Sequence, residues 1–248
     1  MKVAIIGNSH AGAFKQALMH EAERYPHTFN FYIQRGGDAP RLELRDNRLH
    51  PVAGPNPMSL SPGNFHGGFD PAPYDAVLFV SAGLPAQRKI YRKHLLNNFV
   101  HAGFAAQPYQ NHQSVSGEVL ALMMAHRLLQ QPNMKSLQLV RSVFAGPLVI
   151  VTSPLPGSGL GEGRFVCDLP AQYGARLTHF MSWYYSQQIS IISAEAARLG
   201  AMILPPPAAF LAAGVTPDEF CSPERWHMGR DYGHLMLAEA SRLLEGKA

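Results

Sequence analysis

Five short runs of this chain are apolar almost without interruption at their centres: "KVAII" at 2–6, "FNFYIQ" at 29–34, "DAVLFVS" at 75–81, "PLVIVT" at 147–152 and "AMIL" at 201–204. A strand with one face in water alternates apolar and polar residues, whereas a strand covered on both faces does not. Segments of helical character separate most of these runs. Residues 11–25 carry Phe14, Ala17, Leu18 and Ala22, and residues 115–130 read "VSGEVLALMMAHRLLQ". Residues 174–199 place Leu177, Phe180, Met181, Tyr184, Gln188, Ile191 and Ile192 near one stripe, and 230–245 carry Leu235, Leu237, Ala238, Ala240, Leu243 and Leu244. Strand alternating with helix implies a doubly wound α/β fold with a five-stranded parallel sheet. Right-handed crossovers then collect the C-terminal ends of the strands at one edge, where ligands bind in such sheets.

A chain of 248 residues fits one domain, here 1–248, with 46% apolar and 15% charged residues arguing against disorder. Two stretches break the rhythm, 35–74 and 153–173, both rich in Gly and Pro, and both are expected to be long loops leaving C-terminal strand ends. The net charge of +4 is mild, and Lys and Arg are scattered apart from "RKIYRK" at 88–93. Without a basic stripe interleaved with aromatics, a nucleic-acid partner is not expected. No apolar run approaches the roughly 20 residues of a membrane span, and "VAII" is short of a signal-peptide core of about 7–15 residues. The expectation is a cytoplasmic protein with no membrane insertion. Cys167 and Cys221 form no Cys-x-x-Cys pair, and Cys221 with His227 and His234 matches no usual zinc spacing, so neither metal nor cofactor is expected.

The first run continues into "VAIIGNSHAGAF" at 3–14, which sets Ser9 at the tip of a strand and the start of a helix. Such a serine can cap a helix, cradle a phosphate or act as a nucleophile. A dinucleotide turn needs Gly-x-Gly-x-x-Gly, and "GNSHAG" puts Ser9 in the second glycine position. A phosphate loop needs Gly-x-x-x-x-Gly-Lys-Ser/Thr, which is absent. A nucleophile needs a base to take its proton, an acid to orient that base, and donors for the developing oxyanion. Two overlapping acid-x-x-His patterns lie near the C-terminus, Glu224…His227 and Asp231…His234. Helical periodicity starts near Gly229 or Arg230. His227 therefore falls in the loop just before the helix, at the edge beside Ser9, and is the favoured base. His234 falls one turn inside the helix and stays open as the alternative.

The two ends together resemble the SGNH/GDSL hydrolase superfamily. "IIGNSHAG" at 5–12 matches its first block in a Gly-x-Ser-His form, and "ERWHMGRDYGHLML" at 224–237 is similar to its last. The resemblance implies a flavodoxin-like three-layer α/β/α sandwich. It implies Ser9 as nucleophile, His227 as base and Glu224 in the acid position, where the usual residue is Asp. From "QRGGD" at 34–38 it implies an oxyanion donor at Gly36 or Gly37, and "SAGLPAQ" at 81–87 keeps the third-block Gly83 but lacks the asparagine that follows. Asn8 stands where Asp is usual. His10, on the first helical turn, lines the pocket or bonds a loop. The function implied is hydrolysis of a small or carbohydrate-linked acyl ester, acetyl among them, through an acyl-serine. A carbohydrate O-acyltransferase and a catalytically silent binding protein stay open on the same fold.

Overall fold

The computed structural model describes residues 1–34, 40–52, 68–84, 95–105, 113–158, 169–223 and 227–246. Strands β1 (Lys2–Gly7), β2 (Thr28–Ile33), β5 (Ala76–Ala82), β8 (Leu148–Thr152) and β9 (Met202–Leu204) form one parallel sheet in the order β2-β1-β5-β8-β9. Counting only these five, that is the flavodoxin-like order 2-1-3-4-5. Each strand lies within a residue or two of the run that foretold it. The apolar runs have the expected cause: β8 is buried along its whole length and β1 from Val3 onward. The edge strand β2 is only half-buried along most of its length, because nothing pairs with one of its sides in this sheet.

Helices cover both faces. Helix α1 (Ala11–Glu21) packs on α7 (Arg230–Glu245), with β1 and β9 beneath this pair. On the other face α2 (Gly117–Leu129), α3 (Pro132–Val143) and α5 (Leu177–Arg198) pack together against β5, β8 and β9. The short α4 (Leu169–Tyr173) and α6 (Ala208–Ala213) flank α5. No helix among the described residues is long and apolar enough to cross a membrane.

The stretch 35–74 is not loop throughout. It holds a hairpin of β3 (Leu42–Arg45) and β4 (Arg48–Pro51), turning at Asp46 and Asn47 with φ of 49° and 59°. Two consecutive positive φ values make the two-residue turn that matches strand twist, and Asp and Asn tolerate it best after Gly. The hairpin is tied to the end of β2 by Gln34. Its Nε2 donates to the Val52 carbonyl at 2.8 Å, and its Oε1 accepts the Arg41 N–H at 2.6 Å. Within 153–173, the segment Ser153–Gly157 is buried, and Leu169–Tyr173 is α4. A further small parallel pair, β6 (Phe99–His101) with β7 (Gln113–Val115), precedes α2.

Candidate active site

Ser9 stands where β1 ends and α1 begins. The turn closes through Ala11 N–H to the Asn8 carbonyl and Gly12 N–H to the Ser9 carbonyl, both at 3.0 Å. The buried Asn8 spends its side-chain oxygen inside the turn, accepting the His10 N–H at 3.0 Å. The next amides, of Ala11, Gly12 and Ala13, each reach a carbonyl. This leaves the Ser9 amide at the positive end of the helix.

His227 comes from the opposite end of the chain. Its Nε2 lies 3.2 Å from Ser9 Oγ, within hydrogen-bond reach. The loop that carries it is closed at its base. Cys221 bridges Met228 in antiparallel fashion, the Ser222 N–H donates to the His227 carbonyl at 2.8 Å, and the Gly229 N–H donates to Phe220 at 2.8 Å. The approach to that loop is also anchored. Thr216, fully buried, donates its hydroxyl to the Leu155 carbonyl at 2.9 Å and its N–H to Pro156 at 2.8 Å. The segment that follows β8 therefore holds the segment that leads to His227. His10, half-buried, sets its ring edge-on to that of His227, with centroids 5.7 Å apart.

The alternative base is placed elsewhere. His234 lies one turn inside α7, facing α1, with Nδ1 at 2.7 Å from the Tyr25 hydroxyl and the two rings stacked. Burial raises the Tyr25 hydroxyl above its ordinary pKa, with the Arg24 charge opposing, so the phenol stays protonated and able to donate. His234 thus ties α7 to the segment that follows α1, and α1 and α7 themselves pack closely. Gly233 beside it explains how they come so close: a Cβ there would lie 2.1 Å from the Ala13 carbonyl oxygen. Cys221 directs its thiol to the Thr216 and Pro217 carbonyls. Among the described residues no group of three or more His, Cys, Asp or Glu could hold a metal.

Gly83 directly follows β5, one strand over from Ser9, since Gly7 and Val80 are register partners. Its φ is 153°, and a Cβ there would meet Ser153 Oγ at 2.8 Å. Gly36, Gly37 and Glu224 lie outside the described residues. Sequence reasoning passed over Gln34, Thr216 and Gln188 as parts of this edge. Only Gln188 left a signal, a polar side chain in the middle of an apolar helical stripe.

No protein-family model and no curated protein matches the chain. Solved structures similar to it include a protein from Slackia heliotrinireducens proposed to be an SGNH hydrolase, 15% identical, covering 98% of this chain and 97% of that one at a TM-score of 0.45. A carbohydrate esterase family 2 enzyme with a carbohydrate-binding domain, from Corynascus thermopiles (Myceliophthora fergusii), is similar at 11% identity. The match covers 99% of this chain and 65% of that one, with a TM-score of 0.41. LAE5, an alpha/beta hydrolase enzyme from the metagenome of Lake Arreo, is similar at 12% identity over 97% and 94% of the two chains, with a TM-score of 0.43.

Proposed function

We propose that this chain is a serine acyl hydrolase of SGNH type, cleaving a small or carbohydrate-linked acyl ester, with acetyl the simplest acyl group. The observation that carries the reading is the 3.2 Å approach of His227 Nε2 to Ser9 Oγ at the C-terminal edge of a parallel sheet. The two residues are 218 positions apart, and no local turn would bring them together. A serine hydroxyl is a poor nucleophile until a base takes its proton, and a neutral imidazole at this distance is such a base.

Ser9 Oγ attacks the ester carbonyl while its proton passes to His227 Nε2. The carbonyl electrons move to oxygen, and the tetrahedral oxyanion is held by the Ser9 N–H, by Gly36 or Gly37, and by the Gly83 turn. Collapse expels the alcohol, which leaves with the proton from His227. Water then repeats the two steps on the acyl-serine, returning a carboxylic acid and free Ser9. Glu224 orients the imidazole and stabilises its cationic form. The missing third-block asparagine favours a silent binding protein, and the contact between Ser9 and His227 counts against that alternative.

The test is turnover of aryl acetates and O-acetylated sugars by the parent and by Ser9→Ala. The reading expects loss of roughly 10³-fold or more in kcat. Full turnover in Ser9→Ala on every ester the parent cleaves would refute it. Product analysis with added sugar acceptors distinguishes transfer from hydrolysis.

A further inference from the structure

Gln188 sits in the middle of α5, 2% exposed. A polar side chain so buried must find partners, and it finds two on a single residue. Its Oε1 accepts the Leu84 N–H at 2.5 Å, and its Nε2 donates to the Leu84 carbonyl at 3.1 Å. The Tyr184 hydroxyl, one helical turn earlier, donates to the same carbonyl at 3.3 Å. Leu84 follows Gly83 at the end of β5, where the pairing with β8 shifts register between Val80 and Ala82. The sheet ladder gives out here, and an amide from the helix layer behind takes over both backbone groups. The fit is tight: a Cβ on Gly83 would lie 3.1 Å from Gln188 Oε1 as well as against Ser153.

We infer that Gln188 is a positioning residue: by clamping both backbone polar groups of Leu84, it fixes the Gly83 turn relative to Ser9. The inference rests on the acyl-serine reading above. A developing oxyanion gains most from donors already in place, and a misplacement of 1 Å can cost about a hundredfold in rate. The clamp supplies that placement without touching substrate.

The test is the second-order rate at which a fluorophosphonate probe labels Ser9, since phosphyl transfer also builds negative charge on oxygen beside the nucleophile. Gln188→Met keeps the side chain's length, leaves the Leu84 N–H unpaired and leaves the Leu84 carbonyl with only the Tyr184 hydroxyl. Gln188→Glu keeps the acceptor and loses the donor. Labelling per folded molecule is expected to slow roughly ten- to a hundredfold in Gln188→Met, with faster hydrogen exchange at the Leu84 amide, and to slow less in Gln188→Glu, whose carboxylate still accepts that amide. If Gln188→Met does not fold, Gln188→Glu carries the comparison. Labelling at the parent rate in a folded variant overturns the positioning role alone. A parent that is not labelled overturns the acyl-serine reading and the role that depends on it, while Leu84 exchange still reports whether the clamp exists.

Discussion

Two histidines, seven positions apart in acid-x-x-His patterns that look alike in the sequence, meet different partners. The distinction was legible in the sequence, because helical periodicity begins between them. His227 lies before α7 and meets Ser9; His234 lies within α7 and meets Tyr25. His234→Phe keeps an aromatic ring and loses the nitrogen that meets the Tyr25 hydroxyl. It is expected to destabilise the fold by about 1 kcal/mol in urea titration while fluorophosphonate labelling per folded molecule stays within twofold. A fall in labelling as large as that of a His227 variant would give His234 a part in the chemistry. Gln188 was legible only in half. Its place on an apolar stripe marked it as a buried polar group in need of partners, but Leu84 lies 104 positions away, and no periodicity carries information over that distance.

At the scale of elements, the strands were legible because burial on both faces leaves continuous apolar runs. Helix α3 and the β3–β4 hairpin were missed, although each carries a local signal. Pro132 opens α3 at a position where a missing N–H costs nothing, and "RDNR" at 45–48 sits at the hairpin turn. The close crossing of α1 and α7 makes Gly233 critical. Gly233→Ala would force the helices apart and is expected to cost about 1–3 kcal/mol, with slower labelling of Ser9, because α7 follows directly on the His227 loop. Parent-like stability would mean that the helices can separate freely. Helices α5 and α3 are tied through Glu195, which accepts from Arg198 at 2.6 Å and from Gln138 at 2.8 Å. The hydrogen bond from Arg198 holds the Glu195 carboxyl below its ordinary pKa, against the opposing effect of burial. A depressed folded pKa means stability that is present above the ordinary carboxylate range and lost as pH falls through the folded value. Glu195→Gln is therefore expected to cost about 1 kcal/mol near neutral pH, Arg198 being largely exposed. The difference from the parent should shrink in acid, and a difference independent of pH would contradict this assignment.

Across the whole molecule, the sheet order brings residues from both ends of the chain to one edge. Ser9 lies just beyond β1, Gly83 just beyond β5, Ser153 just beyond β8, and His227 arrives through the segment after β9 that Thr216 anchors. Buried apolar side chains from both helix layers join the sheet in one cluster, so the domain is expected to unfold as a unit. Far-UV circular dichroism and tryptophan fluorescence, which reads Trp183 on α5 together with Trp226 next to His227 in the sequence, should give coincident urea transitions; separated midpoints would divide the fold. The edge was legible as a place from strand order alone. What the sequence could not supply was the support behind it, since Gln34, Gln188 and Thr216 act through long-range backbone contacts that leave no pattern. The central claim is that Ser9 is an activated nucleophile with His227 as its base, and it meets its most direct test in fluorophosphonate labelling followed by mass mapping of the adduct. An adduct on Ser9 that disappears in His227→Ala is the predicted result; a folded parent with no adduct, or one whose Ser9 adduct forms equally fast in His227→Ala, would contradict it.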